Sequence, residues 1–149
     1  MRLDSKGYDL IKAFEGLSLK PYLCSAKVPT IGYGNTYYPN GKKVTLNDAP
    51  ITKDKAHELL MFIADKFAND VNKLVKSNVS QNQFNALVSF AYNVGVANLG
   101  KSTLLKLVNI NPNDGNIAKE FLKWNRGGGK VLNGLTNRRI KESSLYFSK

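Results

Sequence analysis

EGLSLKPYLCSAKVPTIGYGN, at residues 15–35, marks an abrupt change in the character of the sequence. The residues before it carry apolar side chains at helical spacing behind Asp4 and Ser5, two residue types that begin helices. Because Gly16 is a natural helix stop, this pattern predicts a first helix that ends at Glu15. The rest of the stretch is rich in Pro, Gly, Thr and Tyr, which predicts turns and short strands.

The predicted β-rich segment extends from residue 18 to residue 50 and has a turn signal at Asn40-Gly41. After Thr52 the apolar side chains return at helical spacings, which predicts a long amphipathic helix. The next stretch, SQNQFNALVSFAYNVG, begins with Ser and Gln in capping-box spacing and is apolar on nearly all sides. It is expected to form a buried central helix.

Three further helices are predicted at residues 102–108, near 114–124 and near 136–147, with a loop or small turn structure between the last two. No repeat or low-complexity linker divides the chain, so residues 1–149 are predicted to form a single domain. The expected fold class is α+β. A small β-rich lobe is joined by the long helix to a larger helical lobe, with a cleft between the lobes.

The chain is strongly basic, with 22 Lys and Arg against 11 Asp and Glu and a formal charge of +11. Such a charge attracts polyanions, a class that includes nucleic acid, anionic lipid and the acidic polymers of a bacterial envelope. The basic residues are scattered from Lys6 to Lys149 and do not form one arm. A solvated basic surface therefore explains the charge equally well.

Other classes of protein are disfavoured by the sequence. A single cysteine excludes an intramolecular disulfide framework, and the chain has neither paired cysteines nor a histidine cluster for structural zinc. The first residues have no apolar signal-peptide core, and no stretch approaches the ~18 apolar residues of a membrane helix. We therefore expect no signal peptide, no membrane insertion, and no metal or cofactor.

Glu15 is the first candidate for catalysis. It closes the predicted first helix, where the helix dipole disfavours negative charge, and the neighbouring Phe14 and Leu17 are apolar. Both features favour a protonated carboxylic acid, the form that can donate a proton to a glycosidic oxygen. On position alone, an exposed glutamate that ends a helix is the simpler interpretation.

Glu15, Cys24 and Thr30 follow one another with eight and then five residues between them. The same spacing of Glu, then Asp or Cys, then Thr is the catalytic signature of phage lysozymes, or endolysins, of glycoside hydrolase family 24, which this sequence resembles. Three later stretches are also similar to helical-lobe segments of that family: QNQFNALVSFAYNVG, STLLKLVN and GKVLNGLTNRRIKESSLY. The resemblance covers nearly the whole chain.

The resemblance implies a muramidase that hydrolyses the β-1,4 bond between N-acetylmuramic acid and N-acetylglucosamine in bacterial peptidoglycan. It makes Glu15 the general acid, puts Cys24 in place of the usual aspartate, and has Thr30 help to position the attacking water. It also implies an arginine behind the acid, and we assign this place to Arg138 in preference to Arg139.

The same resemblance implies where and with what the protein works. Tyr22 and Tyr33 are candidates for contact with the sugar chain, because an aromatic face can stack on a sugar ring. Peptidoglycan is the expected partner, together with anionic envelope polymers, and nucleic acid is not expected to be one. We expect a monomer that accumulates in the host cytoplasm and acts on the cell wall once another factor opens the membrane.

Two alternatives stay open from the sequence alone. Cys24 and the only histidine, His57, are the residue types of a thiol-dependent peptidoglycan amidase or endopeptidase. His57 lies one position off the apolar stripe of its predicted helix, so it is expected to face solvent. The second alternative is a basic polyanion-binding module, in which Glu15 would have no catalytic task.

Overall fold

Seven helices and two short β-hairpins make up the fold in a computed structural model that describes residues 1–149. The helices are α1 Ser5–Glu15, α2 Lys53–Leu74, α3 Gln81–Val94, α4 Val96–Lys101, α5 Thr103–Ile110, α6 Asn116–Leu122 and α7 Asn133–Tyr146. The strands are β1 Ser18–Leu23, β2 Pro29–Gly32, β3 Arg126–Gly127 and β4 Lys130–Val131. Both hairpins are antiparallel, β1 with β2 and β3 with β4. The predicted α+β class is confirmed.

The first helix begins and ends where the sequence predicts. The Asp4 side chain caps α1 by accepting a hydrogen bond from the backbone N–H of Gly7. Gly16 ends the helix with a positive φ of 63°, a conformation that glycine adopts without a steric penalty. Glu15 is consequently held at the point where the chain leaves the helical lobe and enters β1.

The small lobe consists of the β1–β2 hairpin and the turns that follow it. The register pairs Tyr22 with Thr30 and Leu23 with Pro29, so Cys24 begins the turn between the strands. This hairpin is anchored to the long helix, because β2 packs against α2. The predicted β-rich segment and the predicted connecting helix are therefore both confirmed.

Helix α3 is the centre of the helical lobe. Ser80 and Gln83 form the predicted capping box, in which each side chain accepts a hydrogen bond from the other residue's backbone N–H. All residues from 83 to 91 are buried. The helix packs against α1, α2, α4 and α7, and the prediction of a buried central helix is confirmed.

Two features of the C-terminal half differ from the prediction. The sequence analysis does not predict helix α4. This helix has only six residues and a single buried one, Leu99, so it shows no periodic apolar pattern. The segment between α6 and α7 is a small hairpin, β3–β4, turned by Gly128 and Gly129 at positive φ. No helix in the structure is both long enough and apolar enough to span a membrane.

Candidate active site

The carboxylate of Glu15 is held by an arginine from the other end of the chain. Arg138 on α7 donates from Nη1 to Oε1 of Glu15 at 2.8 Å. The Glu15 side chain is 22% exposed and that of Arg138 only 4%, so the acid faces solvent and its partner does not. The guanidinium also lies 5.3 Å from the ring centre of Phe14. Arg138, and not Arg139, is thus the arginine that pairs with Glu15.

Behind Arg138 lies a completely buried carboxylate, Glu142, that the sequence analysis did not select. Its Oε2 accepts from Arg138 Nε at 3.2 Å, from Arg139 Nη2 at 3.1 Å and from the hydroxyl of Ser89 at 2.7 Å. Its Oε1 lies 2.6 Å from Arg139 Nε, an ion-pair contact whose alignment is too poor for a hydrogen bond. The sequence does contain a signal for Glu142. Arg138 and Glu142 are four positions apart on one helix, and side chains with this spacing are neighbours.

The buried cluster has strong effects on protonation. Burial raises the pKa of the Glu142 carboxyl and lowers the pKa of the Arg139 guanidinium. The attraction between these two groups opposes both shifts. Arg138 and Arg139 both contact Glu142, and their two positive charges favour its ionised form.

A groove opens in front of Glu15 along the helical lobe. A cavity of about 450 Å³ is lined by Phe14, Glu15, Asn93, Leu132, Gly134, Leu135 and Arg138. A second cavity of about 370 Å³ shares Asn93 and Leu135 with it and continues to Trp124 and Arg126. The groove therefore runs from the acid past one face of α7 to the β3–β4 hairpin.

Cys24 and Thr30 lie close together on the small lobe. Cys24 is half-buried at the start of the β1–β2 turn, and its pKa is lowered by hydrogen bonding to the backbone of Val28 and then to the hydroxyl of Thr30. Thr30 is only 2% exposed, and its hydroxyl donates to the carbonyl of Val28 at 2.8 Å. One hydroxyl has one proton, so Thr30 donates either to Val28 or to a Cys24 thiolate.

The segment after β2 brings the small lobe to the acid. A Cβ added to Gly34 would lie 3.4 Å from Oε2 of Glu15, and Gly34 has a φ of 90°. A side chain at this position would be strained and would also crowd the oxygen that Arg138 does not contact. No hydrogen bond joins Glu15 to Cys24 or Thr30, whose polar contacts are within the β1–β2 hairpin.

Sequence and structure comparisons assign the chain to a family. The phage lysozyme family model matches residues 12–142. The chain belongs to the phage lysozyme family. It is 45% identical over 150 residues to an endolysin of Bacillus phage B103, with 99% of this chain and 55% of that protein covered. The chain spans just over half the length of that relative.

Solved structures agree with this family assignment. The endolysin from Escherichia coli O157:H7 phage FAHEc1 has a TM-score of 0.90 and 41% identity, with 99% of this chain and 94% of that chain covered. The muramidase domain of SpmX from Asticaccaulis excentricus has a TM-score of 0.83 and 33% identity, with 99% of both chains covered. The lysozyme-like fold predicted from the sequence is therefore confirmed.

The two tyrosines proposed to contact sugar in this phage lysozyme fold have different surroundings. Tyr22 is 39% exposed on β1 and stays a candidate. The prediction for Tyr33 is wrong, because its side chain is only 6% exposed and packs in the main hydrophobic core. Lys12 covers its ring, with Nζ at 5.7 Å from the ring centre. No ring face of Tyr33 is left for a sugar.

Tyr92 on α3 is a residue near the acid that the sequence analysis missed. Burial raises its pKa, and the negative charge of Glu15 raises it further, while Arg138 acts in the opposite direction. Its ring centre lies 5.2 Å from that of Phe67 on α2. Nothing in the apolar pattern of α3 distinguishes a tyrosine beside an active site from one that packs in the core.

His57 of this phage lysozyme family member is less exposed than its position on the predicted helix indicated. Its side chain is half-buried against Tyr8 of α1, with ring centres 6.1 Å apart, and its Nδ1 is buried without a partner. The difference arises because the contact comes from α1, which the periodicity of α2 does not report. The polar contacts of Cys24 are with its own turn and Thr30, and His57 is not among them.

Proposed function

We propose that this chain is a phage endolysin that hydrolyses the β-1,4 bond between N-acetylmuramic acid and N-acetylglucosamine in bacterial peptidoglycan, with residues 1–149 as one catalytic domain. The observation that carries this proposal is the partly exposed Glu15 at the mouth of the groove, with Arg138 fixed behind it. A similar chain is named a muramidase domain, and others are named endolysins.

Glu15 is proposed as the general acid, because glycosidic cleavage needs a proton on the leaving oxygen. Arg138 occupies Oε1 with one hydrogen bond, which leaves Oε2 for the substrate. The missing side chain of Gly34 leaves room beside this second oxygen. In this arrangement, the arginine fixes the direction of the carboxyl group and the glycine admits the sugar chain.

Cys24 and Thr30 are proposed to act on the other side of the scissile bond. A thiolate at Cys24 would stabilise positive charge on the sugar or direct a water molecule, the tasks of the second carboxylate in other glycosidases. The lowered pKa of Cys24 favours this ionised form. The Thr30 hydroxyl can accept a hydrogen bond from that water while it donates its own proton to Val28 or to the Cys24 thiolate.

The basic surface suits work on an anionic envelope. The formal charge of +11 would concentrate the enzyme near acidic wall polymers, so we propose these polymers as secondary partners. We propose that the protein works as a monomer, without nucleic acid and without insertion into a membrane. It would accumulate in the host cytoplasm and reach the wall after another factor opens the membrane.

The experiment that tests this function is mass spectrometry of the soluble products released from purified peptidoglycan. We expect fragments with new reducing sugar ends and intact peptide stems. New amino termini with intact glycan would instead indicate the thiol-dependent class. A protein that binds the wall and releases no fragments would contradict any hydrolase.

His57→Ala is expected to leave the rate of wall hydrolysis near that of the wild type. A mechanism based on Glu15 gives the imidazole no task, and the lost packing against Tyr8 should cost about 1 kcal/mol of stability, as for an average point substitution. The rate and the unfolding free energy are measured together. Glu58→Ala, at an exposed neighbouring position, is the matched control. A collapse of activity in a folded His57→Ala protein would favour the thiol-dependent mechanism.

A further inference from the structure

Glu142 is a buried carboxylate whose task is not explained by packing. It has no exposure to solvent, and three neighbours donate hydrogen bonds to the same oxygen, Oε2. Removal of a carboxylate from water is costly, and two cations must also be buried to compensate for it. An apolar side chain would fill the same space at a lower cost. The geometry therefore points to a function for the charge.

The contacts of Arg138 show where the charge of Glu142 acts. Its Nε donates to Glu142, its Nη2 donates to the backbone carbonyl of Ser89 at 3.1 Å, and its Nη1 donates to Glu15. Each of the three nitrogens of the guanidinium thus has its own acceptor. Glu142 holds the Nε end of the Arg138 guanidinium. The Nη1 atom is thereby directed at the carboxylate of Glu15.

Charges of opposite sign alternate along this chain of contacts, in the order Glu15, Arg138, Glu142, Arg139. The cluster is neutral when all four groups are ionised. Without Glu142, two guanidinium groups would face a single carboxylate, and Glu15 would release its proton more readily. Glu142 reduces the positive potential at Glu15 and leaves the hydrogen bond from Arg138 in place.

We propose that Glu142 is a positioning residue that holds Arg138 against Glu15 and balances the charge of Arg138. This inference rests on the proposed role of Glu15 as the general acid. The titratable groups that face Glu15 are Arg138 on α7 and Tyr92 on α3, with Tyr37 of the small lobe beside Tyr92. Those that face Glu142 are Arg138 and Arg139, both on its own helix.

The test is a charge cycle with Glu142→Gln, Arg139→Gln and the double variant, all made in the Cys24→Asp protein, which serves as the wild type of the cycle because it has no thiol that titrates in the alkaline range. The cycle is read from the pH dependence of kcat/KM on soluble peptidoglycan fragments. Glu142→Gln should move the alkaline limb of the profile down by about one pH unit, since a nearby charge shifts a titration by roughly that amount. Arg139→Gln should move the limb up. The double variant, which loses one charge of each sign, should return it close to the wild-type position.

The cycle measures the effect of the Glu142 charge on the pH profile twice. Glu142→Gln is compared with the wild type of the cycle, and the double variant is compared with Arg139→Gln. If Glu142→Gln does not fold, the second comparison still gives the shift. Tyr146→Phe is the control for loss of a partly buried hydrogen bond from the same helix, and it should leave the limb in place. Because Cys24→Asp replaces the thiol in every variant, no thiol titration overlaps with the limb that is compared.

Two results would overturn the inference. One is an alkaline limb that stays fixed in all folded variants of an active enzyme. The other is a limb that moves in the same direction for both single substitutions, as general destabilisation would produce. If the wild type releases no glycan fragments, the proposed function itself fails, and that failure is seen before any variant is made.

Discussion

Glu15→Gln is expected to reduce the rate of wall hydrolysis ~100-fold or more, the loss that follows removal of a general acid. The amide keeps the shape of the side chain, and its oxygen can still accept the hydrogen bond that Arg138 now donates at 2.8 Å. It cannot supply a proton to the leaving sugar oxygen. The melting temperature should therefore stay unchanged while turnover is lost, as measured by thermal unfolding and by release of reducing ends.

The matched control for this substitution is Glu58→Gln. It makes the same change of group and of net charge at an exposed side chain on α2, far from the groove in sequence. Any loss caused by a more basic surface would appear in both variants, whereas loss of the acid appears only in Glu15→Gln. More than half the wild-type rate in a folded Glu15→Gln protein would refute the assignment of Glu15.

Cys24 is expected to give the second largest effect. Cys24→Ser should lose most of the rate, about tenfold or more, because a serine hydroxyl does not ionise in the range where a thiol does. Cys24→Asp should keep its activity, because a carboxylate is already ionised at neutral pH. These rates are compared on the same peptidoglycan preparation.

The lowered pKa of Cys24 predicts the direction in which the hydrolysis rate changes with pH. The pKa of the wild-type thiol is lowered by hydrogen bonding to Val28 and Thr30, so the thiolate fraction grows as pH rises through that lowered value. Wild-type activity should rise with it from neutral to mildly alkaline conditions. Cys24→Asp should give a flatter profile over the same range, since its charge no longer changes.

Alkylation supplies an independent check on Cys24. A thiol-alkylating reagent should inactivate the wild type, which has no other cysteine, and leave Cys24→Asp unaffected. If Cys24→Ser is fully active and the wild type tolerates alkylation, Cys24 is a packing residue. Glu15 and Thr30 would then carry the mechanism without a second ionisable group.

Local sequence signals predicted most of the fold. The ends of α1 and α3 follow from short-range chemistry, namely the Asp4 cap, the Ser80–Gln83 capping box and the terminating glycines. Helix α2 follows from its long apolar stripe. Helix α4 does not, because six residues are too few for a periodic signal and the helix depends on contacts with α2, α3 and α5.

The candidate site was predictable in its spacing but not in its surroundings. The separation of Glu15, Cys24 and Thr30 is visible in one short stretch, and the arginine behind the acid was chosen by resemblance. Tyr33 was misassigned because it lies just after β2 and no local pattern reveals that it packs in the main core, with Lys12 of α1 over its ring. Tyr92 and Glu142 were missed because their importance comes from partners far away in sequence.

The pairing of Glu15 with Arg138 also bears on protein synthesis. The two residues are 123 positions apart, at the end of the first helix and within the last one. In a nascent chain whose α7 is still inside the ribosome, Glu15 lacks its hydrogen-bond partner Arg138. The groove is incomplete at that stage as well, since four of the residues around Glu15 belong to the segment from Leu132 to Arg138. Assembly of the site is thus delayed until α7 has been synthesised, and a chain interrupted before α7 lacks the arginine partner of Glu15.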